Sequence, residues 1–514
     1  MPLSTRAIRR LLLSLLLVAP VALFAASEER PPNIIFILAD DLGYGDLGSF
    51  GQTKIRTPHI DRLAREGMKL THHYAGSPVC APSRCVLLTG KDPGSAFIRA
   101  NRGMAKGGIR VVGQPESEGQ YPIPDAEITL AEVLQDAGYK TGGFGKWGLG
   151  GPDSTGAPLR QGFDRWFGYN CQAVAHNFYP TYLWDDDKTI PLDNPAFPAH
   201  DTLRDDEDPN DPASYERFKG NEYSADLISE QALNFIRDNQ EQPFFLYWAS
   251  TVPHVALQVP DDSLEEYVGL WEDPPYPGGK GYIPHFNPRA AYAAMITRMD
   301  RDIGRAIDLV EKLGLANDTI FVFTSDNGAT SGTHEGLAGT DAAFFNSSGG
   351  LRDGKGSIYE GGIRVPAVVT WPGKIPAGST SDRVTGFEDW LPTLGEVAGA
   401  NEVPTDISGV SFVPTLQGKK QSARDSLYRE FPSYRGQQAI RVGDWKAVRQ
   451  NLMPPQKTTQ IVRTELYHLG TDRAEENNVA SEHPELLARL EKMMRESRTP
   501  SKDFPFPVLD EATP

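Results

Sequence analysis

A chain of 514 residues, 39% hydrophobic and 23% charged, has the composition of an ordinary globular protein and room for about two to four domains. Its 51 Lys and Arg against 68 Asp and Glu give a formal net charge of −17, which excludes nucleic acid as a partner because phosphate backbones demand a basic surface. A small anionic substrate stays compatible, since a local cluster of Lys and Arg overrides net charge at short range.

The N-terminus reads as an export signal. Arg6, Arg9 and Arg10 form a basic start, "LLLSLLLVAPVALF" is a short apolar run, and Ala25, Ala26 and Ser27 supply the small residues of a cleavage site. The run is short for a membrane span and is broken by Pro20, and no Cys follows it to carry a lipid. The expectation is a signal peptide over 1–26 and an exported, periplasmic or secreted protein with no membrane anchor.

Apolar runs and helical stretches then alternate. "NIIFILADD" (33–41) is a buried strand and "HIDRLAREG" a helix; "LAEVLQDAGY" (130–139) is a helix ending at Gly138, followed by "KTGGFGKWGLG" as strand and loop. "PFFLYWASTVPH" (243–254) and "TIFVFTSDNG" (319–328) are two more strands. Between them Tyr292, Met295, Ile296, Met299, Ile303, Ile307 and Val310 recur at helical spacing. Such alternation predicts an α/β fold, a mostly parallel sheet covered on both faces. Residues 185–215 are acidic, rich in Pro and without periodicity, and read as a long surface loop, a lid or rim beside a site. Beyond about residue 425, "QAIRVGDWKAVRQ" and "TELYHLG" are short alternating strands and "PELLARLEKMMRES" is a helix, so a catalytic domain over 27–425 and a smaller one over 426–514 are expected.

Three of the strands end in chemistry: Asp40-Asp41, His254 and Asp326-Asn327. Ligands of open α/β sheets bind outside the carboxyl ends of strands. A single Asp-Asp pair is more often an ordinary turn; two oxygen clusters, each directly after a buried strand, are not. Three carboxylates and an amide, with His and Cys missing from the clusters, suit Ca²⁺ or Mg²⁺ and disfavour zinc. Without a cation the carboxylates would repel one another.

Three Cys in an exported chain make no disulfide framework. By itself Cys80, in "GSPVCAPSRCVLLTG" (76–90), reads equally as a reactive thiol, a disulfide partner or a buried filler, while Cys85 and Cys171 are either a pair or two buried thiols.

"CAPSRCVLLTG" resembles the signature of the type I sulfatases, Cys-x-Pro-Ser-Arg followed by Leu-Thr-Gly. The resemblance runs from residue 33 to about 470 through "ADDLGYGDLG", "TPHIDRLAREG", "GKWGLG", "FTSDNGA", "GGLRDGKGSIYEGGIRVP" and "ELYHLGTDRAEENN". It implies an alkaline-phosphatase-like α/β sandwich with a small antiparallel C-terminal sheet and helix. It also implies that Cys80 is oxidised before folding to formylglycine by a formylglycine-generating enzyme that reads the motif in an extended segment, which Pro82 helps keep out of helix. The same resemblance makes Asp40, Asp41, Asp326, Asn327 and the modified Cys80 ligands of a metal, Ca²⁺ ahead of Mg²⁺. By the same resemblance Arg84 is expected to hold the hydrated aldehyde, Lys146 and Lys355 to contact the sulfate, and His254 to protonate the leaving alcohol.

One departure stands out. Many family members have His two residues after the motif lysine, where this chain has Gly148, so the base for sulfate release is unassigned. His176 and Asn177 in "GYNCQAVAHNFYP" (168–180) are either sugar contacts or loop packing, and His72-His73 reads as scaffold or surface. The expected activity is hydrolysis of sulfate esters of a carbohydrate, a sulfated and galacto-configured glycan. The alternatives are a phosphonate or phosphate ester hydrolase on the same scaffold and a non-catalytic sulfated-glycan-binding protein.

Overall fold

The computed structural model describes residues 30–104, 111–453 and 463–510; the expected signal peptide lies outside the described residues. Eleven strands make one large sheet: β1 (Asn33–Ala39), β2 (Met68–Tyr74), β3 (Lys140–Lys146), β4 (Arg165–Tyr169), β5 (Tyr182–Asp185), β6 (Lys188–Pro191), β7 (Phe244–Ala249), β8 (Thr319–Ser325), β9 (Arg364–Thr370), β10 (Ser379–Ser381) and β11 (Thr385–Gly386). Their order is β10-β2-β9-β8-β1-β7-β3-β4-β5-β6, with β11 beside β2. The centre, β8-β1-β7-β3-β4, is parallel throughout.

β1 explains why the sheet is sandwiched. All seven of its residues are buried, and since side chains alternate across a strand, both of its faces must be covered. Ile35 and Ile37 pack with residues of α1 (Pro58–Glu66), α4 (Ser224–Asp238) and α5 (Pro288–Lys312). Ile34, Phe36 and Leu38 pack with residues of α2 (Cys80–Thr89), α3 (Leu130–Asp136) and α6 (Trp390–Ala398). All seven residues of the predicted 292–310 stripe lie buried on α5.

A second sheet, β12 (Leu427–Phe431), β13 (Gln437–Val442), β14 (Trp445–Arg449) and β15 (Glu465–His468), is antiparallel in sequential order. One face packs on α7 (Pro484–Glu496) through Ile440, Ala447, Leu490 and Met494. From the other face Phe431, Ala439 and Val448 pack against Val79 and Ile358, next to the Cys80 segment. Buried ion pairs join the sheets: Lys446 Nζ lies 2.9 Å from both Glu360 and Glu475, and Arg429 binds Glu388 and the Ala75 carbonyl.

Two expectations are corrected. Residues 185–215 are not loop throughout: β5 and β6 pair antiparallel around Asp186-Asp187, and a 3₁₀ helix covers Pro212–Phe218. β5 is buried and β6 exposed; the exposed edge strand is held by backbone pairing, which needs no apolar periodicity. Cys85 and Cys171 are both buried and neither is in a disulfide, which removes the paired alternative.

Removing the Lys446 ammonium would leave buried Glu475 without an ion-pair partner among the described residues and Glu360 with Arg364 alone. Lys446→Met should destabilise the protein by about 3–5 kcal/mol, whereas Arg62→Ala, which breaks exposed pairs with Glu66 and Glu311, should cost less than about 1 kcal/mol. Urea denaturation of the two variants checks the contrast.

Candidate active site

The strand order assembles the site. β8, β1, β7 and β3 are neighbours, so the residues at or just beyond their carboxyl ends converge: Asp326-Asn327, Asp40-Asp41, His254 and Lys146. Register is fixed by Ala39 opposite Ser325, by Asp326 N–H donating to Ala39 O at 3.0 Å and by Asp40 N–H donating to Val252 O at 3.0 Å. Cys80 begins α2 and Pro82 is its third residue, positions whose N–H groups lie outside the helical ladder, so the proline costs no hydrogen bond. In the folded chain, therefore, Pro82 sits in the first helical turn, and any extended form of this segment belongs to the chain before folding.

Six buried charges meet here, three of each sign. Lys146 Nζ donates to Asp40 Oδ2 at 2.5 Å and lies 3.4 Å from Cys80 Sγ. Arg84 donates twice to Asp326 Oδ2, at 3.0 and 2.8 Å, and once to the Lys146 carbonyl at 2.6 Å. Lys355 Nζ donates to Asp41 Oδ2 at 2.6 Å. Asp41 holds φ +64°, a left-handed conformation uncommon outside glycine and of the strained kind that clusters at functional sites.

The charges set the protonation states. Burial raises the pKa of Asp40, but Lys146, His254, Arg84 and Lys355 outweigh it and hold the carboxylate well below its usual range. Burial and the charge of Asp40 push Asp326 up to about 6 despite Arg84. Burial, with Asp40, also pushes the Cys80 thiol far up; its Sγ donates to Asp40 Oδ1 at 3.3 Å. A thiol held protonated is a poor nucleophile. Burial, with Lys355 and Lys146, lowers His254 to about 4. Its Nδ1 bonds the Val255 carbonyl, and Nε2 faces Asp41 Oδ2 at 3.6 Å.

The donor set fits a divalent cation, and the structure adds a sulfur and an imidazole nitrogen to the all-oxygen clusters read from the sequence. Asp40, Asp41, Cys80 and His254 each place a ligating atom within 4.8 Å of the others. Asp326 Oδ1 adjoins through the Asp41 amide at 3.2 Å, and Asn327 donates to Asp41 Oδ1 at 2.8 Å. Asn327 Oδ1 is buried without a hydrogen-bond partner, an orphaned acceptor that a cation would satisfy.

Other expected residues divide. His176 stacks on His254, ring centroids 4.7 Å apart and planes 10° apart. Asn177 is turned away, its amide accepting from Tyr179 N–H at 2.9 Å and donating to Phe197 O at 3.4 Å. His73 is buried against Thr385 and Trp390 as scaffold. At Gly148 (φ +96°) a Cβ would lie 2.8 Å from Gln172 Cγ, so a larger side chain at 148 would displace Gln172. The 185–215 segment does reach the site: the ring of its His200 lies 4.4 Å from Tyr282 and 5.8 Å from His176. Sequence reading missed Thr330, which donates to Asp41 Oδ2 at 3.4 Å, Tyr282, 5.7 Å from the His254 ring, and the ring pair His334–Tyr434. "SDNGAT" could have suggested Thr330; nothing in the local sequence marks the tyrosines.

Comparison with known proteins bears on this site. The family model described as Sulfatase matches residues 32–400, and that described as N-sulphoglucosamine sulphohydrolase, C-terminal, matches 350–500. Human arylsulfatase A is 35% identical over 448 residues, covering 84% of this chain and 77% of its own. Dog N-acetylgalactosamine-6-sulfatase is 32% identical over 446 residues, covering 84% and 74%. The crystal structure of Ps i-CgsB in complex with k-i-k-neocarrahexaose superposes with TM-score 0.71 at 25% identity, covering 93% of this chain and 94% of that one.

Calcium added to metal-stripped protein should raise its melting temperature, with stabilisation reaching about 2.7 kcal/mol at a hundredfold excess over Kd. Magnesium should act more weakly, because the smaller ion dehydrates reluctantly. Asp326→Asn, which keeps the shape and loses the charge, should weaken the calcium response at least tenfold by calorimetric titration; an unchanged response would remove Asp326 from the site.

Proposed function

The chain belongs to the sulfatase family and is a sulfuric ester hydrolase, and we propose that it cleaves sulfate esters of a carbohydrate, a galacto-configured glycan, with a formylglycine made from Cys80. The observation that carries this is the convergence of Lys146, Lys355 and three carboxylates on one buried cysteine whose thiol is not activated. A nucleophilic thiol would need its positive neighbours to prevail; here burial and Asp40 outweigh Lys146 and Lys355. The names of the relatives, an N-acetylgalactosamine-6-sulfatase and a complex with a neocarrahexaose, support the substrate class.

Converted to formylglycine and hydrated, residue 80 would supply one hydroxyl to attack sulfur and a second whose deprotonation expels sulfate by re-forming the aldehyde. Calcium held by Asp40, Asp41, Asp326 and Asn327 would supply Lewis-acid polarisation of a sulfate oxygen. The rest belongs to the chain. Lys146 and Lys355 place positive charge where the transition state spreads negative charge. Arg84, locked between Asp326 and the Lys146 carbonyl, keeps the start of α2 in register with both clusters. His254 is neutral near pH 7 before substrate arrives; an incoming sulfate monoanion raises its proton affinity, and the protonated Nε2 then donates to the departing alkoxide. The basic and apolar start of the chain supports export. Conversion of Cys80 makes a formylglycine-generating enzyme its maturation partner.

Mass spectrometry of the 76–90 peptide should find sulfur replaced by oxygen at residue 80 in active enzyme; a free thiol in fully active protein would reject the mechanism. A panel of defined sulfated saccharides, with an aryl phosphate alongside, tests the activity: the proposal requires sulfate release from the saccharides to exceed phosphate release.

His254→Ala should separate its role from that of Lys146. A sugar alkoxide needs a proton as it leaves and a nitrophenolate does not. The variant should lose roughly 10²–10⁴-fold on a glycan sulfate and much less on an aryl sulfate, whereas Lys146→Ala should depress both alike. Equal losses for His254→Ala would make it a sulfate contact instead.

A further inference from the structure

The mouth of the site has an aromatic wall on each side, made from parts of the chain far apart in sequence. On the His254 side stand Tyr282 and His200, ring centroids 4.4 Å apart. On the Lys355 side stand His334 and Tyr434, 5.5 Å apart. Tyr434 belongs to the connection between β12 and β13, which pair up to Phe431 opposite Gln437.

Three independent features mark Tyr434. It is 52% exposed, the one aromatic among the exposed large apolar side chains of the described residues. Its backbone takes φ +48°, followed by Arg435 at +70° and Gly436 at +74°. A bulky residue in that region is a genuine outlier whose strain the surroundings must hold. The ring also has a prepared seat. A Cβ on Gly356 (φ +84°) would lie 2.5 Å from Tyr434 Cε2 and 2.8 Å from His334 Cε1, so only glycine beside Lys355 lets the ring close in. Gly356 N–H donates to the Pro78 carbonyl at 2.8 Å, which ties the seat to the Cys80 segment. Phe431 braces the ring edge-on at 5.3 Å. Burial raises the pKa of the Tyr434 phenol while Lys355 lowers it, and Cys80 and Asp41 also act on it, so the phenol is within electrostatic reach of the reacting centre.

A half-exposed ring held in a strained backbone beside a charged pocket is suited to the apolar face of a sugar, whose C–H groups stack on aromatics as other apolar surfaces do. In the carbohydrate reading the sulfate group reaches Cys80 beside Lys146 and Lys355, and its sugar lies outward from it. Resting on the carbohydrate reading above, we propose that Tyr434 is a specificity-determining residue that stacks on a sugar next to the sulfated one, so that the enzyme favours sulfated oligosaccharides over sulfated monosaccharides.

The test compares kcat/KM of wild type, Tyr434→Ala and Tyr434→Phe on a sulfated tetrasaccharide, the matching sulfated monosaccharide and 4-nitrophenyl sulfate, with thermal melting as the folding control. Tyr434→Ala should lose roughly three- to tenfold on the tetrasaccharide, mainly through KM. It should change little on the two short substrates, and Tyr434→Phe should restore the wild-type ratio. Equal losses on all three substrates would make Tyr434 a prop for the Lys355 loop and overturn the proposal, as would no loss on the tetrasaccharide. Wild-type enzyme that cleaves 4-nitrophenyl sulfate and neither saccharide would overturn the carbohydrate reading itself, and this inference with it.

Discussion

Six buried charges that sum to zero are the constraint on which the rest of this structure depends. Asp40, Asp41 and Asp326 face Arg84, Lys146 and Lys355, all essentially out of water. A buried charge is tolerated only when paired and hydrogen-bonded, so each of these side chains must be held in position from behind. The parallel order β8-β1-β7-β3 does this for most of them by bringing strand ends side by side.

The small sheet is structurally part of this pocket. Gln437 on β13 donates to the Gly356 carbonyl at 2.7 Å and accepts from the Ile358 amide at 3.0 Å, pinning both sides of the segment that follows Lys355. Phe431, Ala439 and Val448 back Val79 in the same layer. The lysine that meets Asp41 and the helix start that carries Cys80 thus lean on one antiparallel sheet, and a change within it would be felt at both.

What could be read from the sequence follows from how local each signal is. The clusters Asp40-Asp41 and Asp326-Asn327 were legible because a fully buried strand writes an unbroken apolar run and its end is abrupt. The α5 stripe was legible because one face of a long helix repeats. The edge strand β6 was not, since it is exposed and pairs through its backbone without an apolar pattern. Asn177 stood in an aromatic, sugar-like stretch, yet its amide serves Tyr179 and Phe197, a local turn that composition does not report. Tyr282 and Tyr434 reach the mouth only through tertiary packing, and no window around either residue contains the lysine or histidine it flanks.

The contact between Val79 and the small sheet also carries a clock. Ile358 and Tyr359 pack on Val79 first, and the small-sheet residues that back the Cys80 segment begin at β12, near residue 427, about 350 positions later in the chain. At synthesis rates of roughly 5–20 residues per second, the interval is about 20–70 s. For that long the nascent chain cannot seal the segment from behind, whatever the large sheet has already done. In the finished fold Cys80 is 1% exposed, beyond the reach of another protein's active site. Chain order alone therefore gives this cysteine a long period of access to other proteins, followed by closure to anything as large as another protein's active site.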